Sequence, residues 1–204
     1  MRLAHSLKTL PLLASLLLPF AASAHVGVDG GMHHGFTTGF LHPLTGADHL
    51  AAMVAVGFWS ALAARRAWPD LLWAPLAFAG MLLVGALMGL AGVQLPAVEP
   101  MIAASLLVLG LLVVTRVHLP VGVAMSVVGV FAVFHGVAHG HELASEQGAA
   151  LTLAGMVGAT VLLHGVGIAL GWSMRRAHGL TAWLPRVAGA AVVGLGATLL
   201  AQAI

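Results

Sequence analysis

Six apolar segments dominate the chain, and each is close to the ~20 residues that an α-helix needs to cross a bilayer. Charged residues make up 7% of the sequence, against about 25% in a soluble domain, so the chain cannot cover a water-facing surface. The sequence therefore predicts an all-α membrane protein, a bundle of about six transmembrane helices. The approximate limits of the predicted spans are 40–64, 71–93, 97–115, 119–140, 148–172 and 183–203.

The first 24 residues are typical of a cleavable secretory signal peptide. Arg2 and Lys8 give a positive start, residues 10–20 are apolar, and residues 22–24 read Ala-Ser-Ala, the pattern of a cleavage site. The alternative is an uncleaved first transmembrane helix. Two prolines break the apolar stretch and favour cleavage.

Residues 25–39 form a polar, glycine-rich tail between the predicted signal peptide (1–24) and the predicted transmembrane domain (40–204). The tail carries His25, His33 and His34, and short His-rich tracts bind metals. Two interpretations are open: a flexible tail without function, and a periplasmic tail whose histidines collect metal ions for the membrane domain.

The charge balance excludes some other functions. The formal net charge is +2, and this excess can be assigned to Arg2 and Lys8 of the leader, so nothing indicates a nucleic-acid partner. The chain has no cysteine, which excludes disulfides and thiolate metal sites. The partner predicted from composition is therefore the lipid bilayer.

The basic residues beyond the leader all fall on one side of the predicted bundle. They follow the first, third and fifth spans or begin the sixth, and cytoplasmic loops are the ones that collect Lys and Arg. Both termini of this multi-pass protein are then predicted to lie on the opposite, outer side of the membrane. These residues are Arg65, Arg66, Arg116, Arg175, Arg176 and Arg186.

The first polar cluster lies where the first span begins, in the sequence HPLTGADHL. Burying an ionisable group in lipid costs at least ~2.5–3.5 kcal/mol, so such residues are functional candidates. His42 and His49 share a stripe of a helix at 3.6 residues per turn, and Asp48 lies about 100° round from His49. We expect the helix to begin near Pro43, at a favoured first-turn position.

The second cluster lies where the fourth span ends, in the sequence FHGVAHGHE. His135, His139 and Glu142 share a helix face about 60° wide, whereas His141 points elsewhere and is predicted to lie in a loop. Because the first and fourth spans run in opposite directions, both clusters are predicted at the same depth. Four imidazoles and two carboxylates then meet, a ligand set that suits Ni²⁺, Co²⁺, Zn²⁺ or Cu²⁺.

Three further features are less specific. The similarity of Gly46–Ala51 to Gly140–Ala144 predicts two inverted three-helix repeats, an arrangement found in transporters. Gly46, Gly136 and Gly140 are expected to loosen their helices locally. His164 lies inside the fifth span, where it either lines a metal path as an accessory ligand or packs as a hydrogen-bonded residue.

The clusters resemble the two signature motifs of the HupE/UreJ family. His42, five residues and Asp48-His49 match H-x5-D-H, and residues 134–142 match F-H-G-x-[A/V]-H-G-x-E. The resemblance runs from the leader to the last span. It implies an inner-membrane permease, not an enzyme, that takes up nickel, with cobalt as the second candidate. The metal residues it implies are His42, Asp48, His49, His135, His139 and Glu142.

The same resemblance implies downstream partners in hydrogenase or urease maturation, a transported Ni²⁺ (or Co²⁺ or Zn²⁺) and no permanent cofactor. A homo-oligomer is left open. No P-loop is present, so the chain itself supplies no ATP drive. The competing functions are an intramembrane zinc hydrolase with Glu142 as general base, a metal sensor or storage protein, and a haem or quinone protein.

Overall fold

The computed structural model describes residues 35–66, 68–145, 147–176 and 178–204. The predicted signal peptide and most of the predicted tail, including His25, His33 and His34, lie outside these residues. Helices and their connections make up the described part of the chain, in which no strand occurs. The predicted all-helical architecture is therefore confirmed.

The helices lie close to the predicted spans. Five of them are long and apolar enough to cross a membrane, and the two helices at the start form a sixth span if they are taken together. They are α1 (Phe36–Thr45), α2 (Ala47–Ala63), α3 (Trp73–Leu90), α4 (Val98–Thr115), α5 (Val121–Leu143), α6 (Ala149–Met174) and α7 (Leu184–Ala203), with a short 3-10 helix at Gly179–Trp183 before α7.

The first span is broken, and here the sequence prediction was wrong. Its helix begins at Phe36, so that Pro43 lies inside α1 and not in a first turn. Gly46 then takes an extended conformation (φ −83°, ψ 117°), and α2 leaves at 85° to α1. Of the three glycines expected to loosen helices, Gly46 does interrupt one, because an extended residue cannot continue the helical hydrogen-bond pattern.

Gly136 and Gly140 act differently, because α5 is continuous through both. A Cβ on Gly136 would overlap the Leu82 carbonyl of α3, and one on Gly140 would overlap the Ala86 carbonyl. Small residues let membrane helices approach closely where burial of apolar surface no longer drives association. These two glycines therefore hold α5 against α3 and do not loosen it. The inverted repeat remains a prediction.

The two ends of the bundle differ in chemistry. At one end, which we call the arginine end, Arg175 Nη2 donates to the Ala64 carbonyl at 2.6 Å and Arg116 Nη2 donates to the Ala182 carbonyl at 3.0 Å. At the other, the histidine end, His141 Nε2 donates to the Val93 carbonyl at 2.9 Å. His141 lies within α5, so the prediction that it is a loop residue was wrong.

Tryptophans mark the arginine end as a membrane interface. The guanidinium groups of Arg175 and Arg186 lie 4.6 Å and 5.3 Å from the ring centroids of Trp172 and Trp183. Trp68 is 67% exposed in the same region. Tryptophan is enriched at the headgroup level of membranes, so this end fits a bilayer surface.

A carboxylate fixes one loop of the arginine end. The Asp70 Oδ2 atom accepts hydrogen bonds from the backbone N–H groups of Arg65 (3.1 Å) and Arg66 (3.0 Å). The backbone bonds from Arg66 and Arg65, with a contribution from the Arg66 charge, hold the pKa of Asp70 below its ordinary value. This carboxylate joins the start and end of the connection between α2 and α3.

Candidate metal-binding site

The break at Gly46 brings the two polar clusters together. His42 lies in the last turn of α1 and His49 in the first turn of α2, with ring centroids 6.2 Å apart. Both face α5, where the His139 ring lies 5.0 Å from His42 and 4.5 Å from His49, and the His135 ring lies 5.2 Å from His49. The bend thus brings His42 and His49 together on the side that faces α5, which the sequence had predicted for a single stripe of one helix.

The histidine cluster comprises the six predicted ligand residues, which the structure places in one region of the histidine end. The cluster consists of His42, Asp48, His49, His135, His139 and Glu142. It is graded in exposure: the side chains of Glu142 and His42 are 51% and 36% exposed, that of His49 is 12% exposed and that of His139 is 1% exposed. The cluster therefore runs from an exposed rim at Glu142 and His42 to a buried interior.

One trio at the rim brings ligand atoms close together. In the described part of the chain, one group of ligand atoms is close enough to hold a metal ion. It consists of one atom each from His42, His139 and Glu142, and these atoms lie within 4.8 Å of one another. Glu142 Oε2 is 3.6 Å from His42 Nε2 and 3.4 Å from His139 Nδ1. These three residues could offer a dication both nitrogen and oxygen ligands.

The three inner imidazoles are all oriented through Nδ1. His49 Nδ1 lies 2.9 Å from Asp48 Oδ1, His135 Nδ1 lies 3.0 Å from the Phe131 carbonyl oxygen, and His139 Nδ1 lies 3.4 Å from Glu142 Oε2. A carbonyl or an ionised carboxylate only accepts hydrogen bonds, so Nδ1 carries the proton in each ring. In the neutral imidazole, Nε2 then carries a lone pair.

Those Nε2 atoms are the unusual feature of the site. The Nε2 atoms of His49, His135 and His139 are buried and have no hydrogen-bond partner among the described residues. Buried polar atoms are normally paired, and each exception needs an explanation. Metal-binding histidines almost always donate their other N–H to a carboxylate or a carbonyl, which is the pattern found here. The arrangement is chemically suited to a borderline divalent cation.

Asp48 has the geometry of an orienting group, one of the two roles, beside direct ligation, that the sequence left open. Its carboxylate is 15% exposed and is bonded to the neighbouring imidazole of His49. The space beside this pair is limited, since a Cβ on Gly46 would lie 3.0 Å from Asp48 Oδ1 and 3.2 Å from His49 Nδ1. Gly46 thus lies at the bend and leaves room for the bonded pair of Asp48 and His49.

Sequence analysis did not identify Phe78 of α3. Its ring is fully buried and contacts the His135 ring, with centroids 5.6 Å apart. Its other neighbour is His164 of α6, at 5.3 Å. A phenylalanine within an apolar span gives no signal in a single sequence, so only the packing of three helices reveals it. His164 lies beyond this ring and outside the histidine cluster.

Two matches relate this chain to known proteins. The model of the family described as HupE / UreJ protein matches residues 13–199. A curated relative, Protein HupE from Rhizobium leguminosarum bv. viciae, is 44% identical over 191 residues, which cover 92% of this chain and 94% of the relative. No solved structure matches the chain.

Proposed function

This chain belongs to the HupE/UreJ family, and we propose that it is a membrane permease that takes up a divalent transition metal, with nickel(II) as the main substrate and cobalt(II) as the second. The metal would supply hydrogenase or urease maturation. The protein would act as a transporter and not as an enzyme.

The observation that carries the proposal is the set of buried, unpaired Nε2 atoms on His49, His135 and His139. Imidazole favours borderline divalent metals over Mg²⁺ and Ca²⁺, which prefer oxygen ligands. The carboxylates of Asp48 and Glu142 offset the charge of a dication in a setting where unpaired charge is costly. This set of groups fits a desolvated nickel ion better than it fits a packed apolar core.

The gradient of exposure supports an ordered uptake. An ion first meets the rim trio of His42, His139 and Glu142, and exchanges part of its water for ligand atoms. It then moves to the buried imidazoles of His49 and His135. The positive-inside rule assigns the arginine end to the cytoplasm, so the ion would enter from the periplasm. Facilitated diffusion, the membrane potential and proton exchange are the candidate driving forces.

The zinc hydrolase is not favoured. Glu142 Oε2 is bonded to His139 and lies near His42, so this carboxylate belongs to the rim trio. We propose that Glu142 acts as a ligand and as an orienting group, and not as a general base.

Nickel uptake into proteoliposomes tests the proposal. The purified full-length protein would be reconstituted, and radioactive nickel would be followed over time with cobalt and zinc as competitors. We expect time-dependent accumulation that His135→Ala abolishes. The matched control is His141→Gln, because His141 lies on the same helix outside the histidine cluster. Nickel that saturates at a few ions per protein without filling the lumen would favour a sensor or storage protein.

A further inference from the structure

The Phe78 ring contacts two histidines that come from different helices. His135 of α5 and His164 of α6 each contact the ring edge to face, at interplanar angles of 61° and 83°. Phe78 itself has no exposed surface. The ring therefore contacts both the innermost imidazole of the histidine cluster and a further imidazole outside the cluster.

His164 lies deeper in the bundle than any member of the histidine cluster. It is about four turns from the start of α6 at the histidine end, whereas His135 is about two turns from the end of α5 at the same side. Its backbone carbonyl lies against α2 at Gly57, where a Cβ would overlap it. The residue is thus near the middle of the membrane-spanning region.

The His164 side chain is a buried polar group that nothing else in the structure explains. Its exposed fraction is 3%, and its Nε2 atom has no hydrogen-bond partner in the part of the chain that the structure describes. The alternative of a hydrogen-bonded packing histidine would require such a partner. Ionisable residues inside a membrane span face substrate or ion paths by default.

The surroundings of His164 offer weak additional ligands. One turn before it, the Thr160 hydroxyl lies 3.4 Å from the Met53 sulfur. All Asp and Glu residues of the sequence lie near the ends of the spans or outside them, so no carboxylate would hold a dication at this depth. A site of this kind binds more weakly than the histidine cluster, and conduction requires sites that an ion can leave.

From this arrangement we propose that His164 is a second, inner binding residue for the transported metal ion, on the far side of the Phe78 ring from the histidine cluster. The inference rests on the proposed permease function. An ion held by His135 reaches His164 when the Phe78 ring turns aside, so the ring keeps the two positions apart between transfers.

The test compares His164→Leu with the wild-type protein in two measurements. In detergent, equilibrium nickel binding should show a tight site and a weaker site, and the variant should lose only the weaker one. In proteoliposomes, the initial rate of nickel uptake should fall at least tenfold in the variant. The matched control is Thr152→Val, because Thr152 is also buried in α6 and its Oγ1 atom also has no partner among the described residues.

A second variant tests the role of the ring. Phe78→Leu keeps an apolar side chain but removes the flat barrier, and we expect the leak of Mn²⁺ into the vesicles to rise about tenfold while the tight nickel site is retained. An unchanged exclusion of Mn²⁺ would show that Phe78 only fills space.

The outcomes separate this inference from the proposed function. Uptake by His164→Leu at the wild-type rate, with both binding events present, would overturn the inner site and leave the permease intact. Loss of the tight site in a folded His164→Leu protein would also overturn it, since His164 would then only support the histidine cluster. A wild-type protein that binds nickel but never accumulates it would instead contradict the permease, and the weaker binding event would still report on His164.

Discussion

At the scale of single residues, hydrogen bonds donated by Nδ1 decide what the three inner imidazoles of the histidine cluster can do. Three acceptors fix three rings: the carboxylates of Asp48 and Glu142 and the backbone carbonyl of Phe131. The carbonyl is supplied by the helix itself, so the orientation of His135 cannot be removed by a side-chain change. The orientation of His49 can be removed by a side-chain change, because it depends on the Asp48 carboxylate.

Asp48→Asn should weaken nickel binding by about 10–100-fold, the usual cost of removing the carboxylate that orients a metal-binding histidine. The amide has nearly the same shape but no charge, so the fold should be retained. Equilibrium nickel titration of the purified protein measures the effect. The matched control is Asp70→Asn at the arginine end, which should leave nickel affinity unchanged. Equal losses in both variants would contradict an orienting role for Asp48.

The residues of the site could be predicted from the sequence to different degrees. The six residues of the histidine cluster stand out because polar side chains are rare in apolar spans. Phe78 does not stand out, because an aromatic side chain in such a span is ordinary. The partners of Nδ1 also depend on tertiary geometry, since the same residue spacing is compatible with Asp48 as a ligand or as an orienting group.

At the scale of the helices, two glycine contacts set the geometry of the site. The chain bends by 85° at Gly46, and this bend turns α1 towards α5. The sequence predicted one straight span here, because hydropathy locates apolar segments and carries no information on their direction. The start at Phe36 was missed for a related reason: residues 35–39 are rich in Gly and Thr, which are poor helix formers.

Gly136→Ala should destabilise the protein by about 1–3 kcal/mol, the usual cost of overpacking. The added methyl group would overlap the Leu82 carbonyl and push α3 away from α5, which displaces both Phe78 and His135. The melting temperature in detergent and nickel affinity should both fall. Gly80→Ala is the control, since a Cβ at Gly80 meets nothing within 4 Å. Equal stability of the two variants would contradict close packing at Gly136.

The connection between α2 and α3 should show a pH-dependent stability. The pKa of Asp70 is lowered in the folded protein, so its ionised form stabilises the fold above the ordinary pKa near 3.8. This contribution is lost as the pH falls through the lowered value. Thermal melts should therefore show Asp70→Asn below wild type at pH 7, with the difference shrinking below about pH 4. A constant difference at all pH values would contradict the linkage.

At the scale of the whole molecule, the chemistry of the protein is polarised between its two ends. In the described part of the chain, the arginines and exposed tryptophans gather at one end and the histidine cluster at the other. The alternation of spans made this distribution predictable from the sequence, because each connection falls on a known side. The close pairing of α3 with α5 was not predictable, since contacts between helices distant in sequence leave no local pattern.

The orientation in the membrane can be measured with single cysteines, because the chain has none of its own. Gln202→Cys at the C-terminus should react with an impermeant maleimide added outside spheroplasts. His178→Cys, beside the arginine end, should react only after the membrane is permeabilised. The opposite pattern would reverse the proposed direction of nickel uptake.

X-ray absorption of the nickel-loaded protein tests whether the buried Nε2 atoms of the histidine cluster bind the transported ion. The spectrum should contain the scattering of at least two imidazole rings bound to nickel, and this signal should decrease in His49→Ala and in His139→Ala while remaining unchanged in His141→Gln. A nickel ion surrounded by oxygen atoms alone, with a spectrum unaffected by these substitutions, would contradict the account.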